Sequence, residues 1–220
     1  MRDFHEGECL ELLRRANLPD ETLRELLADR GIRKFHAVRR ALAAHPRTPR
    51  GEALTLVRTL FWRDLAELSA DARVHPAVRR AADQDLLRRL PEMAVAERVD
   101  LARTAGRGTL LYLRLDPDVR VLSSVLDNRY TTEPDVIQAT VQTRTTAESL
   151  QCISRHPRWG SRPAVRSALL RHPELPPAVA LTLLTRATRD DLRGIRDSER
   201  VSPLVRACAE RVLAERQIED

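Results

Sequence analysis

Apolar residues recur along this chain at helical spacing, in short segments that are separated by prolines. In the segment at 76–86, Val78 shares one helical face with Ala81 and Ala82, and the segment at 163–170 repeats this spacing. Strand-like alternation of β-branched and polar residues is hard to find, whereas Leu, Ala, Arg and Glu, which favour helices, dominate. The pattern therefore predicts an all-α protein.

Prolines and capping residues divide one stretch of the chain into three helices. The segment at 35–45 ends before Pro46, because the residue that precedes a proline avoids the helical region. Thr48 is a suitable N-cap and Pro49 a suitable first residue for a second helix. A third helix is predicted at 62–71.

A short motif, P-x-V-R or a close variant of it, occurs five times at nearly regular intervals. The motifs begin at His36, Pro76, Pro117, Pro163 and Pro203, in steps of 40, 41, 46 and 40 residues. A period near 40 residues is that of a supersecondary repeat.

An internal duplication supports this period. When residues 37–86 are aligned without a gap to residues 164–213, which lie 127 positions later, 21 of the 50 pairs are identical. The two segments are therefore expected to fold alike.

The duplication predicts three helices in each repeat, after a helical cap. The predicted helices of the middle repeats are 76–90, 92–104, 108–115, 117–127, 133–143 and 146–156, and the last motif opens a closing helix at 203–216. The segments at 9–16 and 18–31 depart from the repeat and are amphipathic. We expect an N-terminal cap at 1–33 and one continuous repeat array at 34–220.

These motifs resemble those of the HEAT and armadillo α-solenoids. The phrases LAAHPRTP at 42–49 and LLRHPELP at 169–176 are similar to bacterial HEAT-like and leucine-rich-repeat-variant proteins, and the resemblance covers about 33–216. It implies a right-handed α-solenoid of three-helix repeats that offers a binding surface. It says little about activity, because such folds host many functions.

The composition argues against a disulfide framework, a signal peptide and a membrane-spanning helix, and it shows basic charge mixed with acidic charge. The net charge is +6, with 38 basic and 32 acidic residues, so basic charge is mixed with acidic charge throughout. Three widely spaced cysteines, Cys9, Cys152 and Cys208, are not a disulfide framework. The first residues, MRDFHEGE, lack the apolar stretch of a signal peptide, and no run approaches 18 apolar residues. We expect a cytoplasmic protein with no membrane partner.

One arginine recurs in each motif. The resemblance implies that it ties repeats together, and we expect the stems of Arg79 and Arg166 to be buried and their heads to bind acidic side chains or carbonyls of an adjoining helix. The alternative is a row of guanidinium groups that binds phosphates. The row comprises Arg39, Arg79, Arg120, Arg166 and Arg206.

No residue pattern points to catalysis, a cofactor or a metal. The histidines before prolines recur one per corner, too far apart to share a metal, and suit the last turn of a helix instead. Asp64 and Asp191 are equivalent in the duplication, which indicates a shared structural role rather than paired acid–base chemistry. The glycines at 105–111 lack the spacing of a phosphate-binding loop.

Two tryptophans are candidate binding residues. Trp62 is replaced by arginine in the duplicated segment, and Trp159 lies with Arg158 and Arg162 in the six-residue excess of the longest repeat. An exposed aromatic residue beside arginines is a common interface anchor. The alternative is that Trp159 packs beneath its own loop.

The sequence predicts a non-enzymatic α-solenoid scaffold or adaptor that binds another protein on its curved surface. The alternative is an arginine-rich, nucleic-acid-binding HEAT-like protein, which the mixed charge and the scarcity of aromatic residues disfavour. A HEAT-like DNA glycosylase is a third possibility, for which only Trp62 and Asp64 form a suitable pair.

Overall fold

The computed structural model describes residues 5–142, 145–199 and 201–218. Within these ranges the backbone forms fifteen α-helices, two short 3-10 turns and no strand. The prediction of an all-α protein is confirmed.

The helices follow the predicted order. The first eight are α1 (Glu6–Leu13), α2 (Asp20–Ala28), α3 (His36–Ala44), α4 (Arg50–Val57), α5 (Trp62–Ala70), α6 (Pro76–Arg89), α7 (Val95–Thr104) and α8 (Arg107–Leu113). The others are α9 (Val119–Asp127), α10 (Glu133–Thr140), α11 (Ala147–Arg155), α12 (Pro163–Leu170), α13 (Pro177–Leu184), α14 (Arg189–Arg196) and α15 (Pro203–Ile218). The 3-10 turns at Ile32–Lys34 and Leu90–Glu92 precede α3 and α7.

Prolines set most of the repeat boundaries. Pro76, Pro163 and Pro203 each stand at the first position of the helix that opens a repeat, where the missing N–H costs nothing. Pro117 instead lies two residues before α9, whose N-cap is Asp118.

The contacts divide the chain into two compact units, Met1–Leu110 and Leu111–Asp220. The division falls within α8, whereas the sequence pattern placed a boundary between the cap and the array at residues 33 and 34.

The buried positions of the first unit recur 127 residues later in the second unit. The buried pairs are Val38 and Val165, Leu42 and Leu169, Ala53 and Ala180, Leu56 and Leu183, Leu65 and Leu192, Val74 and Val201, Val78 and Val205, and Leu86 and Leu213. The duplication is therefore a duplication of core-facing positions, and each unit builds its own core from them.

The same helix pairing also recurs within each unit. The second helix of a repeat packs against the first helix of the next repeat, which joins α4 to α6 in the first unit. In the second unit it joins α10 to α12 and α13 to α15. In these three cases the second helix of one motif-delimited segment therefore packs against the first helix of the following segment.

Histidines close the corners between helices. In His45, His75, His156 and His172, Nδ1 accepts a hydrogen bond from the backbone N–H two residues later. A histidine that accepts at Nδ1 carries its proton on Nε2, and Nε2 of His45 donates to the backbone O of Arg15 at 3.1 Å. These histidines are therefore built into the corners.

Candidate interaction surfaces

Three of the few aromatic residues lie where α3 and α5 begin, in the first unit. Phe61 is 63% exposed and Phe35 is 41% exposed, while Trp62 is half-buried. The ring of His36 lies 4.3 Å from the ring of Phe61, centroid to centroid. These four residues, Phe35, His36, Phe61 and Trp62, form a surface that we call the aromatic patch.

His36 joins the two helix starts. Its Nε2 is hydrogen-bonded to Oδ2 of Asp64, and Arg39 donates to its Nδ1 at 3.3 Å. Both ring nitrogens of His36 are therefore hydrogen-bonded to side chains of the protein, and neither is free for proton transfer. The ring that these bonds hold in place packs against the ring of Phe61.

Charged side chains border the aromatic patch. Arg40 pairs with Glu67, and its Nε lies 3.9 Å from Oδ1 of Asp64. The guanidinium of Arg63 lies 5.1 Å from the centre of the Trp62 ring, within the range of a cation–π interaction. The patch therefore has an aromatic centre and a charged rim.

A groove lies beside the aromatic patch. It has a volume of about 630 Å³ and runs between α1, α3 and the end of α5. Ala37, Ala41 and Ala44 line it along α3, and Arg40 and Glu67 of the charged rim line it as well. The small side chains of α3 leave room for another chain to approach.

Phe61 stands at a position that related helices use for a cap. Two of the third helices in the later repeats, α11 and α14, have the N-caps Thr146 and Thr188, whose hydroxyls accept backbone N–H groups of Ser149 and Asp191. The backbone of Phe61 has the same extended conformation as that of Thr188. A phenyl ring accepts no such bond, so α5 begins without a side-chain cap.

Phe35 shows the same exchange at the start of a first helix. The residues directly before α6, α9 and α15, His75, Asp118 and Ser202, each accept a backbone N–H, whereas Phe35 and Arg162 do not. The sequence pattern did not predict that Phe35 and Phe61 lie on the surface. The signal that could have found them is an aromatic residue where the repeat calls for a capping side chain.

The structure buries Trp159. Its side chain is 2% exposed, and its indole N–H donates to the backbone O of Leu126 at 2.8 Å. Trp159 packs beneath its own loop, so it cannot be the exposed anchor that was one of the two sequence interpretations. Arg158 lies over its ring, and Arg162 is exposed.

The repeated arginines hold the segment that precedes their own helix. Arg39 donates to the backbone O of Arg33 at 3.0 Å, and Arg166, which is 8% exposed, donates to the backbone O of Ser161 at 3.2 Å. The carbonyl of Arg33 belongs to the 3-10 turn before α3 and that of Ser161 to the loop before α12, so neither lies on an adjoining α-helix. Within the described ranges, Nε is buried without a partner in Arg39, Arg79, Arg166 and Arg206.

Arg120 departs from the row. It is exposed and donates from Nε and NH2 to Asp118, the residue that caps α9. The side-chain bond to Asp118 raises the pKa of Arg120 further above its usual range. The ion pair with Asp118 therefore holds the guanidinium of Arg120 in a different position from those of the other motif arginines.

Asp83 is the titratable group whose setting most resembles that of a catalytic acid. Burial raises its pKa, while hydrogen bonds from Thr109 and Ser69 oppose the shift. Its Oδ1 accepts from the hydroxyl of Thr109 at 2.7 Å, at the start of α8, and a Cβ at Gly108 would collide with the carboxyl group. Asp83 therefore ties α6 to α8, and a substrate has no room beside it at Gly108.

Asp64 and Asp191 do different work in the structure. Asp64 binds His36, whereas Asp191 completes the capping box of Thr188.

In the part of the chain that the structure describes, no group of three or more His, Cys, Asp or Glu side chains could hold a metal ion. None of the described helices is long and apolar enough to cross a membrane.

Comparisons with a set of protein-family models, with curated proteins and with solved structures found no match to this chain.

Proposed function

We propose that this protein is a non-enzymatic α-solenoid scaffold or adaptor, and that it binds another protein through the aromatic patch. The recurring helix pairings within each unit support the solenoid assignment. The observation that carries the binding proposal is Phe61, which is 63% exposed at a position where equivalent helices have a threonine cap.

Placing phenylalanine at this N-cap costs the protein stability. A side-chain cap contributes about 0.5–2 kcal/mol to helix stability, and exposed phenyl surface contributes little in its place. A local rule that is broken without a gain in the fold is typical of a functional residue. We therefore expect Phe61 to contribute favourable free energy when a partner covers it.

The surroundings of Phe61 suit a protein partner. Aromatic residues are enriched at the centre of protein interfaces, and charged side chains are enriched at the rim. Arg40 with Glu67 and Arg63 over Trp62 supply such a rim. The groove along α3 gives the partner chain a path beside the patch.

The ion pairing of many surface arginines argues against the nucleic-acid alternative. Counterion release requires a contiguous face of free basic groups. Many arginines of this chain are instead held by a nearby carboxylate, and the pairs include Arg14 with Glu11, Arg73 with Asp71, Arg103 with Asp100 and Arg196 with Asp197.

The test compares two surface variants in a quantitative capture experiment. Tagged wild-type protein, Phe61→Thr and Leu204→Thr are each exposed to a nuclease-treated lysate of the source organism. Leu204 is 55% exposed in the second unit and serves as the matched control. We expect a protein that wild type and Leu204→Thr retain equally and that Phe61→Thr loses.

Purified components then decide between the possible partners. The retained protein should bind Phe61→Thr about thirtyfold more weakly than wild type, as the loss of an interface hot spot predicts. Equal affinity would overturn the proposal. Concentration-dependent dimers of the wild type that Phe61→Thr abolishes would assign the patch to a second copy of this chain, and tight oligonucleotide binding would favour the nucleic-acid alternative.

A further inference from the structure

A second surface lies in the second unit, at the corners that follow α9 and α11. It contains Arg129, Arg155, Arg158 and Arg162, and we call it the arginine corner. We infer that the arginine corner binds an acidic peptide segment of a partner protein through its guanidinium groups.

The corner after α11 is held rigidly. Trp159 is buried and bonded to the backbone O of Leu126, and His156 Nε2 lies 3.1 Å from Oδ1 of Asp127. Gly160 fits where a Cβ would collide with the backbone O of Ser154. The six additional residues of this repeat therefore form a fixed platform.

Arg158 is positioned on this platform. Its guanidinium lies 4.2 Å from the centre of the Trp159 ring, and its NH2 lies 3.4 Å from the backbone O of Thr131. Stacking on an aromatic ring orients the planar guanidinium and leaves most of its N–H donors unused. The contact with Thr131 also brings this corner against the corner that carries Arg129.

Arg155 and Arg162 are exposed, and their side chains make no ion pair or hydrogen bond with any residue that the structure describes. Among the described side chains Arg129 contacts Tyr130, to whose hydroxyl it donates at 2.8 Å and over whose ring its guanidinium lies at 4.7 Å, and it makes no ion pair with a described carboxylate. The nearby Asp127 is bonded to His156 rather than to an arginine. These arginines lack a carboxylate partner among the described residues, unlike the many arginines elsewhere in the chain that are paired with carboxylates.

The start of α12 adds to the positive potential. Arg162 is its N-cap, the helix has no side-chain cap, and no acidic residue lies in its first turn. The residues directly before α6, α9 and α15, His75, Asp118 and Ser202, are hydrogen-bond acceptors. A cation at a helix N-terminus opposes the helix dipole, so Arg162 is placed against the local rule, as a ligand-binding residue would be.

The geometry favours carboxylates on a peptide over a nucleic acid. Guanidinium groups bind carboxylates through two parallel hydrogen bonds. Trp159 is buried, and the guanidinium of Arg129 covers one face of the half-buried Tyr130 ring at 4.7 Å, which leaves little aromatic surface on which a base could stack. The four arginines of the arginine corner suit a short acidic segment and fall short of the long basic face that a nucleic acid needs.

The test uses a labelled peptide of about ten glutamates, titrated by fluorescence anisotropy in about 150 mM salt. The binding variant is Arg155→Gln combined with Arg162→Gln. The control variant is Arg193→Gln combined with Arg211→Gln, which removes two exposed arginines of the same unit that are already paired with Asp190 and Glu215. Both variants lose the same charge.

We expect the binding variant to bind the peptide about tenfold more weakly than wild type and the control variant to bind it nearly as well. Equal losses in the two variants, or no binding to wild type, would overturn the inference. Tighter binding of an oligonucleotide of equal charge would assign the corner to nucleic acid instead. The inference is separable from the proposed function, because Phe61→Thr should bind the glutamate peptide as wild type does.

Discussion

Trp159 and Leu126 are joined by a hydrogen bond of 2.8 Å from the indole N–H to the backbone O, and both side chains are buried. Leu126 belongs to the last turn of α9, where carbonyl groups have no partner within the helix. The tryptophan in the long corner therefore completes the end of a helix from the same repeat.

The substitution Trp159→Phe tests this bond. It keeps an aromatic side chain and removes the donor, so the buried carbonyl of Leu126 loses its partner. We expect the free energy of unfolding to fall by about 1–3 kcal/mol, measured by urea denaturation. Trp62→Phe is the control and should change stability by less, because Trp62 is half-buried and no hydrogen bond of its indole is seen among the described residues. Equal losses would contradict the role of the bond.

Gly160 and Gly51 form a second matched pair. A Cβ at Gly160 would collide with the backbone O of Ser154 and lie 3.1 Å from the backbone O of His156, and backbone atoms cannot move aside as a flexible side chain can. We expect Gly160→Ala to lower the melting temperature and to destabilise the protein by about 1–3 kcal/mol. Gly51 in α4 has nothing within 4 Å of its Cβ position, so Gly51→Ala should stabilise by about 0.4–1 kcal/mol. A Gly160→Ala protein as stable as the parent would refute the close approach.

His172 should make stability depend on pH. Burial lowers its pKa below the usual 6.5, and its Nδ1 accepts the backbone N–H of Glu174 at 3.1 Å. The unfolded chain therefore takes up the proton first, so stability is fully present above about pH 6.5 and is lost as the pH falls towards the folded pKa.

The matched variant for this prediction is His172→Asn. Asn128 already closes a corner in this way, since its Oδ1 accepts the backbone N–H of Tyr130 at 2.8 Å. Urea denaturation between about pH 7 and pH 5 should show a smaller loss of stability in His172→Asn than in wild type. Identical pH profiles would show that His172 does not contribute.

The helix order could be predicted from the sequence because its signals are local. Pro76 and Pro163 mark helix starts, and Val78 and Val165 mark core-facing positions through 3.6-residue spacing. Each signal acts within one or two turns, and the duplication repeats it, so the helix ends agree closely with the structure.

The surfaces could not be predicted in the same way. Phe61 is a large apolar residue in a chain whose apolar residues mostly mark the core, and only the structure shows it exposed. Trp159 lies outside the segments 37–86 and 164–213 that align in the duplication, so the aligned core positions did not indicate its burial. Arg120 donates to Asp118, which lies two residues before it, and the spacing of the motifs does not reveal this ion pair.

The assignment of Phe61 to a binding surface also predicts how its replacement changes the stability of the protein, and this can be tested without knowing the partner. If Phe61 serves binding rather than folding, replacing it with the capping residue of the later repeats should stabilise the protein. Phe61→Thr places a hydroxyl three residues before Asp64, as Thr188 stands three residues before Asp191 in its capping box. Thr188→Phe is the reciprocal variant in the other unit and removes an existing cap.

The most direct measurement is the free energy of unfolding of these two variants beside wild type, by urea denaturation followed with circular dichroism. We predict that Phe61→Thr is more stable than wild type and Thr188→Phe less stable, each by about 0.5–2 kcal/mol. Destabilisation of the protein by Phe61→Thr, to the extent that truncating a core phenylalanine would cause, would show that Phe61 holds the fold together and would contradict its assignment to a binding surface.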